Sequence, residues 1–138
     1  IIDYKSGRVD PKKWFGDRPE DPQLPLYAVS AAETPAAVVF AVARDGECHY
    51  RGVVDRPGLF PGLPPGRGRN SEQLVEAGAD MARTIRNWRE TLERLMQSFL
   101  SGQAAIDPKD GDRTCRDSYC DLHSLCRVEE LRQLDGGD

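Results

Sequence analysis

An acid and a lysine stand two residues apart at the start of the chain, in the run Ile1-Ile2-Asp3-Tyr4-Lys5-Ser6-Gly7. Side chains on a β-strand alternate between its faces, so Asp3 and Lys5 project to the same one. A carboxylate there can hold a divalent cation. The neighbouring ammonium can orient or help deprotonate an attacking water, or stabilise charge building on a phosphate. That is the chemistry of phosphodiester hydrolysis; the alternative is a strand end with two solvated charges. An acid-x-Lys triplet is short enough to arise by chance, and it recurs at Asp10-Pro11-Lys12 and Asp107-Pro108-Lys109. In both repeats a proline occupies the middle position, which disfavours a central strand. Only Asp3-Tyr4-Lys5 follows a β-branched pair and precedes a helix.

The elements that must position this pair follow in order. A strand over Ile1 to Tyr4 stops at the Ser6-Gly7 turn. Arg8 to Pro22, punctuated by Pro11, Pro19 and Pro22, reads as an irregular connection anchored to the core by Trp14 and Phe15. From Gln23 to Ala32, Leu24, Tyr27 and Ala28 share one face at helical spacing, and Pro25 falls in the tolerant first turn. Ala36 to Arg44 and Cys48 to Val54 read as strands joined through Asp45-Gly46-Glu47 into a hairpin. Asp55 to Arg69 is a long Gly/Pro-rich loop, of the kind that in compact domains is functional or disordered. Leu74, Gly78, Met81, Ile85, Trp88, Leu92, Leu95 and Phe99 recur four and three apart. Their spacing predicts one long helix with a single apolar stripe, packed on the sheet or forming a coiled-coil seam. Asn70, with Gln73 three residues on, is its expected cap, and Gly102 its end.

At 138 residues with 38% apolar content the chain suits one modest domain, and it has no run long enough to cross a bilayer. The N-terminus lacks the basic, apolar and small-residue succession of a signal peptide. Without an initiator methionine the chain is expected to begin inside a longer, cytoplasmic protein. A net charge of −4 argues against nucleic-acid binding through bulk positive charge, so any DNA contact must be local. Arg8, Lys12 and Lys13 after the first turn, and Arg51, Arg56, Arg67 and Arg69 on or beside the long loop, could touch phosphates or simply be a solvated surface. Arg83, Arg86, Arg89 and Arg94 sit among glutamates, and pairs such as Arg86 with Glu90 and Arg89 with Glu93 are expected to support their helix.

Three cysteines crowd the tail: Cys115, Cys120 and Cys126 have the spacing C-x4-C-x5-C. Such clustering favours metal ligation over disulfides in a chain of this profile. Zinc held by the three thiolates and His123 is one reading, because Cys3His is a structural zinc set. His123, like His49 in the hairpin, could instead be an exposed or hydrogen-bonded imidazole. Cys48 is expected to be a small buried hydrophobe.

Taken in order, Asp3-Tyr4-Lys5-Ser6-Gly7, then Asp21-Pro22-Gln23-Leu24-Pro25-Leu26-Tyr27-Ala28, a hairpin, a long helix and the cysteines resemble the RecB-type nucleases of the PD-(D/E)XK superfamily. In those proteins a D-Y-K-[ST]-G strand end precedes a helix with a Q-L-x-x-Y signature. The wording of the cysteine tail is most similar to the AddB-like DNA repair group. The resemblance implies an α/β, restriction-endonuclease-like core with a mixed sheet flanked by helices. Residues 1–106 would form that core, N-terminally truncated, and 107–138 a Cys-rich tail. It implies that Asp3 is the second metal-binding acid, the Tyr4 carbonyl completes its shell, and Lys5 is the catalytic lysine. Gln23 and Tyr27 would pack beside the site, with Mg2+ or Mn2+ as the metal.

The family's first acid, and an upstream helix that often adds a ligand, would lie before Ile1. The isolated chain is therefore expected to bind metal weakly and leave DNA intact. The resemblance also implies a 4Fe-4S cluster held by Cys115, Cys120 and Cys126 with a fourth, upstream cysteine, although the first interval is two residues longer than the family's usual C-x2-C-x5-C. The implied activity is that of the C-terminal part of a DNA exonuclease domain in double-strand-break repair. A helicase region upstream or in a partner helicase-nuclease subunit would work with it, with no membrane association. The alternative is a non-catalytic DNA-binding or scaffold module that keeps the fold and a structural Fe-S or Zn site.

Overall fold

A computed structural model describes residues 1–64, 69–117, 120–127 and 130, without the side chains of 69–71, 112, 116, 117, 123 and 124. The chain divides into two compact units, Ile1–Gln97 and Ser98–Asp138.

The first unit is built on three strands, β1 (Ile2–Lys5), β2 (Ala37–Arg44) and β3 (Glu47–Val54), in the order β1-β2-β3. β1 and β2 are parallel, with Asp3 opposite Phe40 and Lys5 opposite Val42. Parallel neighbours need a crossover, and here it comprises a 3-10 turn (Pro11–Trp14) and α1 (Gln23–Ser30). β2 and β3 are antiparallel, with Phe40 opposite Arg51 and Val42 opposite His49. Their loop is the two-residue Asp45-Gly46, where Gly46 takes a φ of 72° that a residue with a Cβ adopts only at a cost. This mixed α/β sheet flanked by helices is the architecture expected from the sequence.

β2 is covered on both faces, which accounts for its unbroken apolar run. On one face Val38, Phe40 and Val42, with Val53, meet Trp14, Leu24 and Ala28 from the crossover and Leu74, Met81 and Trp88 from the helices. Trp14 lies at the centre, its ring 5.0 Å from Phe40 and edge-on to Trp88 at 6.2 Å. Such aromatic pairs add about 0.5–1.5 kcal/mol each beyond burial. On the opposite face Ala37, Val39 and Val54 lie under Leu63, Leu59 and Phe60. The first half of the Gly/Pro-rich loop is therefore a cover for the sheet.

The single long helix expected over 74–99 is two helices, α2 (Arg69–Ala79) and α3 (Met81–Leu100). The break has a local cause. The Asp80 carboxylate accepts from the Arg83 N–H at 2.9 Å and so caps a new helix, while the buried Thr84 hydroxyl donates to Ala77 O at 2.8 Å. Gly78 lets α2 approach β3 closely, since a Cβ there would stand 2.0 Å from Val54 O. The apolar stripe runs through the break at Leu74, Met81 and Trp88 but fades beyond it, with Phe99 75% exposed. The expected cap at Asn70 lies outside the described side chains.

In the second unit α3 ends as predicted at Gly102, whose φ of 77° allows its N–H to reach Phe99 O at 3.0 Å, and Gln103 N–H reaches Ser98 O at 3.1 Å. Two short helices follow, α4 (Asp112–Asp117) and α5 (His123–Cys126). Among the described residues no helix is long and apolar enough to cross a membrane.

Candidate active site

Lys5 is the hub of the site. Its Nζ lies 2.9 Å from Asp3 Oδ2, donates to Gln23 Oε1 at 3.0 Å, and stands 5.7 Å from the centroid of the Phe40 ring. Gln23 in turn donates through Nε2 to the Tyr27 hydroxyl at 3.3 Å. The alternation of β1 brings Asp3 and Lys5 to one face, and the crossover brings in Gln23, eighteen residues on in sequence. Gln23 opens α1, and Tyr27 lies one helical turn further along the same face. The four residues singled out in the sequence thus form one continuous chain of contacts, with Phe40 as its floor. Sequence reading misses Phe40, because a phenylalanine in an apolar strand looks like any core residue; only the strand register puts it beside Asp3.

The Asp3 contact is the main influence holding the Lys5 ammonium above the ordinary lysine pKa. Burial opposes the rise, and the charges of Asp3 and Asp21 add to it. Lys5 therefore stays protonated at neutral pH, and in this arrangement it is a hydrogen-bond donor and a positive charge. It is not a base.

Asp3 Oδ2 is buried and has no aligned hydrogen bond, only the charge of Lys5 beside it. The Tyr4 carbonyl is the second available oxygen. Ile1 meets β2 through both its ammonium, 2.7 Å from Ala37 O, and its carbonyl, 3.1 Å from Val39 N. Backbone groups of a parallel strand alternate in this way, so those of Tyr4 turn to the edge of β1 away from β2. A buried carboxylate oxygen and a main-chain carbonyl suit a hard divalent cation such as Mg2+ or Mn2+. Among the described residues no three carboxylate, imidazole or thiolate groups come together to hold a metal ion.

Beside the site a cleft of about 980 Å3 begins at Gly7 and Val42. Arg8, Lys12 and Lys13 line it from the crossover, and Arg44, His49 and Arg51 from the hairpin. Four of the expected phosphate-binding candidates, Arg8, Lys12, Lys13 and Arg51, are thus together. Lys13 is paired with Glu20 at 2.9 Å and Arg44 with Glu47 at 2.7 Å. Arg51, which sits opposite Phe40, donates to Val9 O at 3.3 Å. Arg56 is not in the cleft; it pairs with its neighbour Asp55 at 3.3 Å. Arg67 and the side chain of Arg69 lie outside the described residues. The repeated triplet at Asp10-Pro11-Lys12 is a helix start, with the Asp10 carboxylate capping Lys12 N at 3.2 Å.

In the tail, Cys120 N–H donates to Cys115 O at 3.1 Å. Among the described residues no three thiol, imidazole or carboxylate groups converge on a metal position there, and the His123 side chain lies outside them. Cys48, expected to be buried, is exposed: it lies at the start of β3 opposite Ala43, on the sheet face where Leu59, Phe60 and Leu63 pack with Ala37, Val39 and Val54.

A family model described as the PD-(D/E)XK nuclease superfamily matches residues 1–127. The chain belongs to the PD-(D/E)XK nuclease superfamily. No curated protein and no solved structure matches it. Membership in this nuclease superfamily implies nuclease-type phosphodiester hydrolysis; a nuclease domain would bind DNA, and nucleases of this superfamily typically use Mg2+ or Mn2+. The D-Y-K strand end and its contacts lie within the matched nuclease domain.

Proposed function

We propose that the chain is the C-terminal part of a Mg2+-dependent deoxyribonuclease domain of the RecB type, nearest the AddB-like group, acting as an exonuclease in double-strand-break repair. The observation that carries this reading is the Lys5 ammonium suspended between the Asp3 carboxylate and the Gln23 amide. The subgroup rests on the sequence wording alone, from D-Y-K-S-G through Q-L-x-x-Y to the three cysteines.

Asp3 and the Tyr4 carbonyl would hold the cation, which when bound supplies Lewis-acid polarisation of the phosphate and an acidified water. Lys5, protonated, donates to a non-bridging phosphate oxygen and offsets the charge that grows there. Gln23 keeps that ammonium in place through its carbonyl, and Tyr27 fixes which way the Gln23 amide faces. Arg8, Lys12, Lys13 and Arg51 of the cleft would contact the DNA backbone without reading sequence. With one carboxylate and one carbonyl assigned to the metal among the described residues, and a metal that prefers six oxygens, this chain by itself is expected to hold Mg2+ weakly and not to cleave. The cysteines would assemble a 4Fe-4S cluster only with a fourth thiolate, since such clusters take four; zinc with His123 is the competing occupant.

The test uses the full-length protein on linear and on covalently closed duplex DNA with Mg2+. An exonuclease releases acid-soluble nucleotides from the linear form alone, and Lys5→Ala abolishes the release. Equal degradation of the closed circle would overturn the exonuclease reading, and full activity in Lys5→Ala would overturn the catalytic one. A second reading is a non-catalytic DNA-binding or scaffold module, in keeping with there being no group of three carboxylate, imidazole or thiolate ligands among the described residues. It predicts DNA binding without cleavage, in wild type and Lys5→Ala alike.

A further inference from the structure

α1 is a short helix of eight residues that presents Gln23 and Tyr27 to Lys5, and little in its own sequence holds it. It has no side-chain N-cap and no basic residue in its last turn. Its C-terminal carbonyls need partners from elsewhere. Leu24, Pro25 and Ala28 are buried and fix its inner face, but burial alone leaves a short helix free to slide or rotate.

Two arginines of α3 meet this need from outside. Arg89 donates through Nη2 to Val29 O, in the last turn of α1, at 2.7 Å. Arg94 donates through Nη2 to Asp17 O, in the segment leading into α1, at 2.9 Å. The two donors are five residues apart, a rise of about 7.5 Å along α3; one holds the last turn of α1 and the other the segment that leads into it. The lead-in segment also hangs from the 3-10 turn, where Glu20 and Asp21 N–H groups both donate to Lys13 O, at 2.9 and 3.2 Å. The expected pair of Arg89 with Glu93 does not form among the described residues, nor does that of Arg86 with Glu90. Arg89 is committed to the α1 carbonyl instead.

We propose that Arg89 and Arg94 are positioning residues: α3 uses them to clamp α1, and so to hold Gln23 and Tyr27 in register with Lys5. Val29 O is a carbonyl at the negative end of a helix, without a partner inside it, and a guanidinium is the group best suited to it. The inference deepens the reading of Gln23 and Tyr27 as site residues, but its test needs no activity. It can therefore fail while the nuclease reading stands, and the reverse.

The test is NMR of the whole chain in wild type, Arg89→Met, Arg94→Met, Arg89→Lys and the exposed control Arg86→Met. In Arg89→Met the Gln23 side-chain amide signals are expected to move to the position of a free glutamine. Amides of the last turn of α1 should exchange at least tenfold faster, while those of β2 keep their protection. Arg94→Met gives the same pattern weighted to residues 17–23, Arg89→Lys restores part of it, and Arg86→Met leaves the spectrum unchanged. Unmoved Gln23 signals in both methionine variants would overturn the proposal, as would an equal loss of protection in β2. Arg94→Met and Arg89→Lys supply the same readouts if Arg89→Met does not fold.

Discussion

The Asp3–Lys5 pair allows a direct test of how the site is held together. Lys5→Met keeps most of the side-chain length and its packing over Phe40 but removes the ammonium from a buried carboxylate oxygen. At 2.9 Å, Coulomb's law gives a gross attraction of about 6 kcal/mol at an effective dielectric of 20 and about 1.4 kcal/mol in bulk water. The side chains are 33% and 20% exposed, which places the pair between a surface bridge and a buried one. Desolvation and side-chain ordering consume most of the gross figure, leaving a net coupling of about 1–2 kcal/mol. The measurement is a double-mutant cycle of Lys5→Met, Asp3→Asn and the double variant at pH 7. Urea unfolding would be followed by the fluorescence of Trp14 and Trp88, both in the core. Millimolar Mg2+ should recover part of the loss in Lys5→Met and none in the double variant, because only the former keeps the carboxylate proposed to take the cation.

The pH dependence has a definite sign. The folded state raises the pKa of Lys5, so the stability from the pair is fully present below the unfolded lysine value of about 10.4. It is lost as pH climbs through the still higher folded value. Wild type should therefore lose stability above about pH 10.4 more steeply than Lys5→Met. A coupling below about 0.3 kcal/mol, within the usual additivity error, would refute the reasoning. It would mean that water screens the pair and that Gln23 alone places the ammonium.

Gly78→Ala should be among the most damaging small substitutions, by about 3 kcal/mol or more in urea, because its Cβ would meet backbone at Val54 O and no rotamer can relieve that; a loss under about 0.5 kcal/mol, as at an ordinary surface site, would place α2 differently. For DNA binding, Arg8→Gln and Lys12→Gln should each lower the salt slope of log affinity by about one without changing sequence preference. Arg56→Gln, outside the cleft, should leave the slope alone, and equal effects of all three would remove the cleft as the DNA path.

The first unit shows which features a sequence exposes and which it conceals. The hairpin is legible because β-branched runs flank Asp45-Gly46, and Asp3 and Lys5 can be placed together because strand alternation is a strict period of two. The break at Asp80 is not legible. α2 and α3 present their apolar residues to the same core, so the spacing carries through the cap and reads as one helix. The capping aspartate is one more acid on a charged helix until its contact with Arg83 N–H is seen. Phe40 is concealed for another reason: it joins the site through strand register, which no local pattern in its strand reveals.

The helix arginines mislead by the same logic that makes the rest legible. Spacing offers Arg89 a glutamate four residues on, worth about 0.3–0.5 kcal/mol on an exposed helix. The fold offers it a carbonyl at the end of α1, where a charge-assisted bond to an acceptor with no partner in its own helix is worth about 1.5–3 kcal/mol. The stronger bond wins, but it exists only after the crossover has laid α1 beside α3. A local pair can be read from a sequence because both partners lie within one helical turn. The bonds that set the geometry of this site span 18, 60 and 77 residues, and each depends on a fold that must already be in place.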